Sequence, residues 1–165
     1  MDELNATILR RIETAPGLII IEVKPDLPIK NYEPGQYLAL GLPGSHRRPA
    51  GSPPEKEAAR PEKMIKRSYS LASTPDRLES FEFYIAIVPE GQLTSRLALL
   101  REGDRIYAAP KVVGTFTVGD VPPNANLVLV ATGTGLAPFV SMARTGRIWA
   151  PERKITIVHG VRYPG

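Results

Sequence analysis

One stretch towards the carboxyl-terminal end restricts the possible folds more than any other. Residues 127–131 form an uninterrupted apolar run, followed by a glycine turn and by a segment whose Phe139 and Met142 share a helical face. A continuous apolar strand is typical of a parallel sheet that is covered on both faces. Because residues 155–158 are β-branched and predict the next strand, this part of the chain predicts one βαβ unit of an incomplete parallel α/β nucleotide-binding domain.

The glycine turn after residue 131 is the strongest local signal for ligand binding. Gly133 and Gly135 permit a tight turn, and the following helix presents unpaired N–H groups to an anion. Pro138 takes the place of the third glycine of the G-x-G-x-x-G pattern, although proline is tolerated in the first turn of a helix. A plain strand-to-helix turn is the alternative. The buried strand before it favours phosphate binding by Thr132, Gly133, Thr134 and Gly135.

The first 120 residues follow a different pattern, of short strands separated by proline and glycine. About six strands and one helix predict a six-stranded antiparallel barrel. Leu93, Leu97 and Leu100 have helical spacing, and Gly103 is placed to end that helix. Residues 121–126 are expected to be a linker between the barrel (1–120) and the α/β part (127–165). Seven short stretches are the candidates for these strands: residues 6–13, 18–23, 36–42, 67–73, 81–88, 104–108 and 115–118.

Residues 43–66 interrupt the strand pattern with prolines, glycines and many charges. They predict a long and mobile surface loop, with a helical turn at residues 55–59. The simplest interpretation of this segment is a solvated insertion.

The strand after this loop combines a cation, an aromatic ring and hydroxyl groups. Arg67 and Tyr69 lie two residues apart, so they share a strand face at a spacing of about 6.6 Å. A guanidinium can hold a pyrophosphate, and a phenol ring can lie against a planar heterocycle. An ordinary exposed strand is the alternative, because Arg and Tyr alternate on many strands.

A second glycine turn, at Gly91, precedes Leu93, Thr94 and Ser95. The two hydroxyls lie close to the start of the next helix, where they can cap its free N–H groups. Taken alone, helix capping explains this segment better than phosphate binding does. Its occurrence together with the 67–70 strand and the 132–135 turn favours a binding role.

Composition excludes several other classes of function. The chain has no cysteine and only two histidines, which argues against disulfides, cysteine nucleophiles and zinc. No apolar run is long enough to span a membrane, and the acidic amino terminus has no signal-peptide pattern, so a cytoplasmic location is expected. The net charge of +4 permits a phosphate-bearing ligand or an acidic partner without requiring nucleic acid.

In this order, the three motifs resemble the bacterial ferredoxin–NADP reductase family over nearly the whole chain. They are Arg67-Ser68-Tyr69-Ser70, Gly91-Gln92-Leu93-Thr94 and the turn from Gly133 to Pro138. The resemblance implies an antiparallel FAD-binding barrel followed by an NADP-binding domain. It also implies hydride transfer between nicotinamide C4 and flavin N5, and electron exchange with ferredoxin or flavodoxin.

The resemblance assigns a role to each matching residue. Arg67 would contact the FAD pyrophosphate, and Tyr69 would pack on the flavin. Ser70 would bond near N5, although strand alternation points it away from Tyr69. Arg162 could meet the 2′-phosphate of NADPH, or it could be an ordinary solvated arginine. The remaining implied FAD contacts are Ser68, Leu71, Ala72, Ser73, Gly91, Leu93 and Thr94, and the implied NADP contacts are Thr132, Gly133, Thr134 and Gly135.

Two departures from the family pattern qualify these expectations. The 43–66 loop is longer than expected in bacterial members, and the further strands and helices that family members carry after the first βαβ unit are missing. A truncated chain, or one that completes its sheet by self-association, is therefore expected. The alternatives are the reductase component of an oxygenase, with its iron–sulfur cluster on another chain or module, and a non-catalytic flavin-binding fragment.

Overall fold

The chain builds one antiparallel sheet and one small parallel sheet. The computed structural model describes residues 3–146 and 148–161. Within them, no helix is long and apolar enough to cross a membrane. The elements are β1 (Ala6–Ala15), β2 (Leu18–Pro25), β3 (Tyr37–Pro43), β4 (Met64–Ser70), β5 (Phe81–Ala86), α1 (Thr94–Leu97), β6 (Arg105–Ala108), β7 (Leu127–Thr132), α2 (Ala137–Arg144) and β8 (Ile155–Gly160), with a 3₁₀ turn at Gly133–Leu136 between β7 and α2.

The antiparallel sheet has six strands in the order β4-β3-β6-β1-β2-β5. A bridge between Leu71, just after β4, and Phe83 of β5 joins its two outer strands. The sheet therefore curls into a barrel, as the sequence predicts. The β1–β2 hairpin turns at Gly17, whose positive φ of 75° is a conformation that glycine adopts readily.

Alternating side chains fill the barrel. Phe81, Phe83 and Ile85 of β5 are completely buried, which confirms the apolar face expected from their spacing. Leu93, Leu97 and Leu100 are also buried in this core. Burying each of these side chains contributes about 1.5–3 kcal/mol to the hydrophobic stabilisation.

Two expectations from the sequence are wrong, one about the end of the helix after Gly91 and one about a strand at residues 115–118. The helix α1 has one turn, and Gly103 does not end it; Gly103 lies in the turn before β6, where its N–H donates to the Ile8 carbonyl. Residues 115–118 form no strand. Val113 makes a single bridge to Tyr37, and at Gly114 the backbone turns to φ +123° and leaves the sheet.

The 43–66 segment also differs from its expected form. Its last residues belong to β4, and residues 55–59 form no helical turn, because the Glu55 carboxylate rather than a backbone carbonyl accepts the Ala59 N–H. Backbone hydrogen bonds close the base of the loop, from Gly44 to the Lys63 carbonyl at 2.8 Å and from Ser45 to the Pro61 carbonyl at 3.1 Å.

The parallel sheet pairs β7 with β8. Leu129 and Ala131 are buried with Phe139 and Met142 of α2, as the helical spacing predicts. The other face of β7 is open, with Val130 64% exposed. Among the described residues α2 covers only one face of this apolar strand, as expected of an incomplete parallel sheet.

Helix α2 also connects the small sheet to the barrel. The Ser141 hydroxyl, which is completely buried, donates to the Ser73 carbonyl at 2.5 Å. Arg144 donates to the Ala72 carbonyl at 3.1 Å and to the Glu82 carboxylate at 2.7 Å. These contacts fix the glycine turn before α2 relative to the barrel.

Candidate functional site

Two of the three sequence motifs meet at the amino-terminal side of α1. Arg67 and Tyr69 lie in β4 opposite Leu40 and Leu38 of β3, which places them two positions apart along the strand. The exposed Arg67 guanidinium donates to the side-chain oxygen of Gln92 at 3.0 Å. The structure therefore brings the 67–70 strand and the Gly91 turn together, as a common ligand requires.

Tyr69 offers a flat and neutral surface next to this cation. Its ring is half-buried against the barrel core. Burial raises the pKa of Tyr69 to about 12, although the charge of Arg67 opposes that shift. The phenol is consequently protonated at neutral pH, and its ring is suited to stacking rather than to acid–base chemistry.

The other residues of this segment have different surroundings. Ser68 is exposed, and Ser70 is half-buried opposite Tyr37. Leu71 and Ala72 are completely buried. The Ser73 hydroxyl accepts from the Tyr32 hydroxyl at 3.3 Å and from the Glu82 N–H at 3.2 Å. The side chains of Leu71 and Ala72 are therefore closed to a ligand, and the Ser73 hydroxyl is already hydrogen-bonded.

The Gly91 turn is held by side chains that the motif itself supplies. The Thr94 hydroxyl bonds to both the N–H and the carbonyl of Val88, at 3.1 Å each. A Cβ on Gly91 would lie 2.7 Å from that hydroxyl, so a side chain there would displace Thr94. Leu93 is buried in the core. Thr94 therefore shapes the turn with its side chain, but no side chain of the described residues caps the N–H groups of α1, so the capping interpretation is wrong.

The third motif, at the end of β7, leaves space for a ligand. Gly133 has a φ of +50°, and a Cβ on either Gly133 or Gly135 would meet no atom within 4 Å. No neighbouring atom requires a glycine at either position, and the backbone of Gly135 does not have a positive φ. The missing side chains therefore leave the turn open to the close approach of a ligand. Thr132 is exposed and Thr134 half-buried beside it. The backbone N–H groups and threonine hydroxyls of this turn are hydrogen-bond donors that suit a phosphate.

His159 of β8 supports the same turn. Its Nε2 lies 2.9 Å from the Gly133 carbonyl. The turn also lies near the barrel, with Cα atoms within 8 Å of β5. Arg162, expected at the 2′-phosphate, lies outside the described residues.

Sequence reasoning missed a charged cluster between the long loop and α1. Arg96 is 5% exposed and donates to the Glu55 carboxylate, to the Gln92 carbonyl at 2.6 Å and to the Gly44 carbonyl at 2.8 Å. The Arg48 Nε atom lies 3.6 Å from the same carboxylate. The one local signal in the sequence was the position of Arg96 between the buried leucines 93 and 97, which indicates that this arginine has a partner inside the protein.

The cluster holds Glu55 ionised. Burial acts to raise the pKa of Glu55, but hydrogen bonds from Arg96 and the Ala59 N–H, with the charges of Arg96 and Arg48, outweigh it and lower that pKa. The loop is therefore attached to the barrel by the Arg96–Glu55 ion pair, while most of residues 45–63 are exposed, as expected of a solvated insertion.

Comparisons with known proteins cover most of the chain. The oxidoreductase NAD-binding domain family matches residues 129–165. The ferredoxin–NADP reductase of Azotobacter vinelandii is 36% identical over 135 residues, covering 82% of this chain and 46% of that protein. This chain belongs to the ferredoxin–NADP reductase family. It spans about half the length of the curated relatives it matches.

Two further similarities concern related reductases. The reductase subunit of an aromatic O-demethylase from Amycolatopsis is 34% identical over 167 residues, covering 97% of this chain and 43% of that protein. A ferredoxin–NADP reductase structure from Neisseria gonorrhoeae, with bound FAD and NADP, matches 97% of this chain and 58% of its own, with a TM-score of 0.76 and 21% identity. The latter supports the barrel and α/β fold.

Proposed function

We propose that this chain is the flavin-binding part, with the first nucleotide-binding unit, of an FAD-dependent oxidoreductase. It would move electrons between NADPH and ferredoxin or flavodoxin. The observation that carries this proposal is the contact between Arg67 and Gln92, which joins the strand motif to the Gly91 turn. On this proposal residues 1–120 are the FAD-binding barrel, 121–126 the linker and 127–165 the amino-terminal βαβ part of the NADP-binding domain.

The residues present fit an FAD molecule. Arg67 provides a guanidinium for the pyrophosphate, the Tyr69 ring a stacking surface for the flavin, and Ser70 a hydroxyl beside it. Tyr69 and Ser70 are thus the proposed catalytic residues. When bound, FAD supplies hydride and single-electron chemistry, and the protein orients it. Further FAD contacts are proposed for Ser68, Leu71, Ala72 and Ser73, and for the turn of Gly91, Leu93 and Thr94.

The open turn at the end of β7 fits the NADP pyrophosphate. Thr132, Gly133, Thr134 and Gly135 would receive it, with the His159 ring supporting the turn through the Gly133 carbonyl. Arg162 remains a prediction for the 2′-phosphate.

The electron partner is proposed from charge. A net charge of +4 suits an acidic carrier such as ferredoxin or flavodoxin, because complementary fields raise encounter rates. The cytoplasmic location and the self-association expected from the sequence remain predictions.

A second candidate is the reductase component of an oxygenase. The O-demethylase reductase subunit aligns with 97% of this chain, whereas the Azotobacter ferredoxin–NADP reductase aligns with 82%. Measuring electron transfer from the reduced protein to ferredoxin, and separately to an oxygenase component, discriminates between the two.

The flavin proposal is tested with the purified chain and FAD. We expect a bound-flavin visible spectrum, and an Arg67→Gln variant with FAD affinity lowered about tenfold through the lost charge-assisted bond. Arg47→Gln removes an exposed arginine of the long loop and is the control. A wild-type chain that binds no flavin would contradict the proposal. Bleaching of the bound flavin by NADPH tests the β7 turn separately.

A further inference from the structure

The long loop between β3 and β4 forms one wall of a cleft whose other wall carries Arg67. This cleft has a volume of about 650 Å³, within the range of about 300–1,000 Å³ that is typical of small-molecule sites. Loop residues Arg60 and Lys63 line it together with Lys66, Arg67 and Gln92. Its lining contains four cationic side chains and one carboxylate, that of Glu57. The cleft is therefore suited to an anion.

The loop wall is fixed in place by built contacts. The buried Arg96–Glu55 pair joins the loop to α1, and the Gln92 side-chain amide donates to the Glu57 carbonyl at 2.8 Å. Gly44 lies so close to the loop's returning strand that a Cβ there would be 2.1 Å from the Arg60 carbonyl. Such a wall is pre-organised for binding.

The direction of β4 indicates which part of a flavin dinucleotide reaches the cleft. From Tyr69 to Arg67 and on to Lys63, the strand leads away from the proposed flavin surface at about 3.3 Å per residue. A dinucleotide with its ring on Tyr69 and its pyrophosphate at Arg67 therefore extends its adenosine end towards the loop.

We propose that residues 57–63 of the loop bind the adenosine diphosphate half of FAD, with Arg60 and Lys63 as its cationic contacts and the Glu55–Arg96 pair as the positioning device. This inference rests on the proposed flavin function.

FAD and FMN distinguish this assignment, since FMN has the same ring and first phosphate but lacks the adenylyl half. We expect the Arg60→Ala/Lys63→Ala double variant to bind FAD about tenfold more weakly and FMN as the wild type does. The Arg47→Ala/Lys24→Ala double variant removes equal charge from residues outside the cleft and should bind both as the wild type. Titrations of flavin fluorescence at fixed salt concentration provide the affinities.

Glu55→Gln tests the positioning pair. Loosening the loop should weaken FAD binding while FMN binding is retained, and Glu55→Asp should restore part of the FAD affinity. Equal FAD affinity of the Arg60→Ala/Lys63→Ala variant and the wild type would overturn the inference, as would parallel losses of FAD and FMN affinity. If the wild type binds neither flavin, the proposed function itself fails, which is a separate result.

Discussion

The barrel and the small parallel sheet use apolar strands in opposite ways. In the barrel, the Leu71–Phe83 bridge joins the outer strands, so alternating side chains such as Phe81 and Ile85 fill a closed interior. In the parallel sheet, α2 covers Leu129 while Val128 and Val130 on the other face are 67% and 64% exposed. A sheet that closes on itself can bury its core alone, whereas two strands and one helix cover one face only.

This difference also separates the two groups of candidate ligand contacts. Arg67 and Tyr69 lie on the closed barrel, whose core supports them. The Gly133–Leu136 turn depends on α2, which the Ser141–Ser73 hydrogen bond holds against the barrel. We therefore expect the flavin surface to withstand changes that loosen the nucleotide turn.

The largest effect is expected in the closed core. Phe83→Ala should lower the free energy of unfolding by about 3–5 kcal/mol, because it leaves a cavity among completely buried side chains. Urea denaturation followed by circular dichroism measures this. A loss below about 1 kcal/mol would mean that the barrel interior is less tightly packed than the structure indicates.

A somewhat smaller loss is expected from Arg96→Met, about 3 kcal/mol, because Glu55 then keeps only Arg48, at 3.6 Å, as a cationic partner and the Gln92 and Gly44 carbonyls lose their donor. The double variant Arg96→Met/Glu55→Gln should recover part of this loss. Strictly additive effects in the double-mutant cycle would contradict the coupling of the two side chains.

The junction between the regions can be strained through Gly35. This residue has a φ of +101°, and a Cβ there would lie 1.8 Å from the Phe116 carbonyl oxygen and 2.6 Å from the Met142 Cε atom of α2. Gly35→Ala should therefore cost about 2 kcal/mol or more. Gly51→Ala has similar backbone strain but open space around it, and is the matched control. Equal losses for the two would contradict a packing role at Gly35.

Acid should weaken the attachment of the loop. Because the pKa of Glu55 is lowered on folding, its contribution to stability is present above its ordinary pKa of 4.5 and is lost as the pH falls through the lower folded value. The difference in unfolding free energy between wild type and Glu55→Gln should shrink below pH 4.5. A difference that stays constant from pH 7 to pH 3 would contradict this.

The smallest effect is expected on the open face of β7. Val130→Thr should change stability by no more than about 0.5 kcal/mol, because that side chain is 64% exposed. A loss of several kcal/mol would mean that this face is covered in solution, and would remove the contrast with the barrel.

Much of this architecture was predictable from local pattern. Alternation at Phe81, Phe83 and Ile85 predicts a half-buried strand, and the spacing of Phe139 and Met142 predicts the buried side of α2. The strand predicted at residues 115–118 is absent because local strand propensity does not show that Gly114 turns the chain away from β3. The helical turn predicted at residues 55–59 is absent because Arg96, which is distant in sequence, determines the position of Glu55.

The sequence by itself determined the strands, the glycine turns and the residue types of the three motifs, because each depends on neighbours along the chain. Only the tertiary structure decided that Arg67 meets Gln92, that Arg96 meets Glu55, and that Ser141 meets the Ser73 carbonyl. These partners are far apart in sequence, and they meet because the folded chain brings their segments side by side. The Arg96–Glu55 pair holds the charged, proline-rich loop of residues 43–66 beside Arg67, where the loop forms one side of the proposed cofactor site.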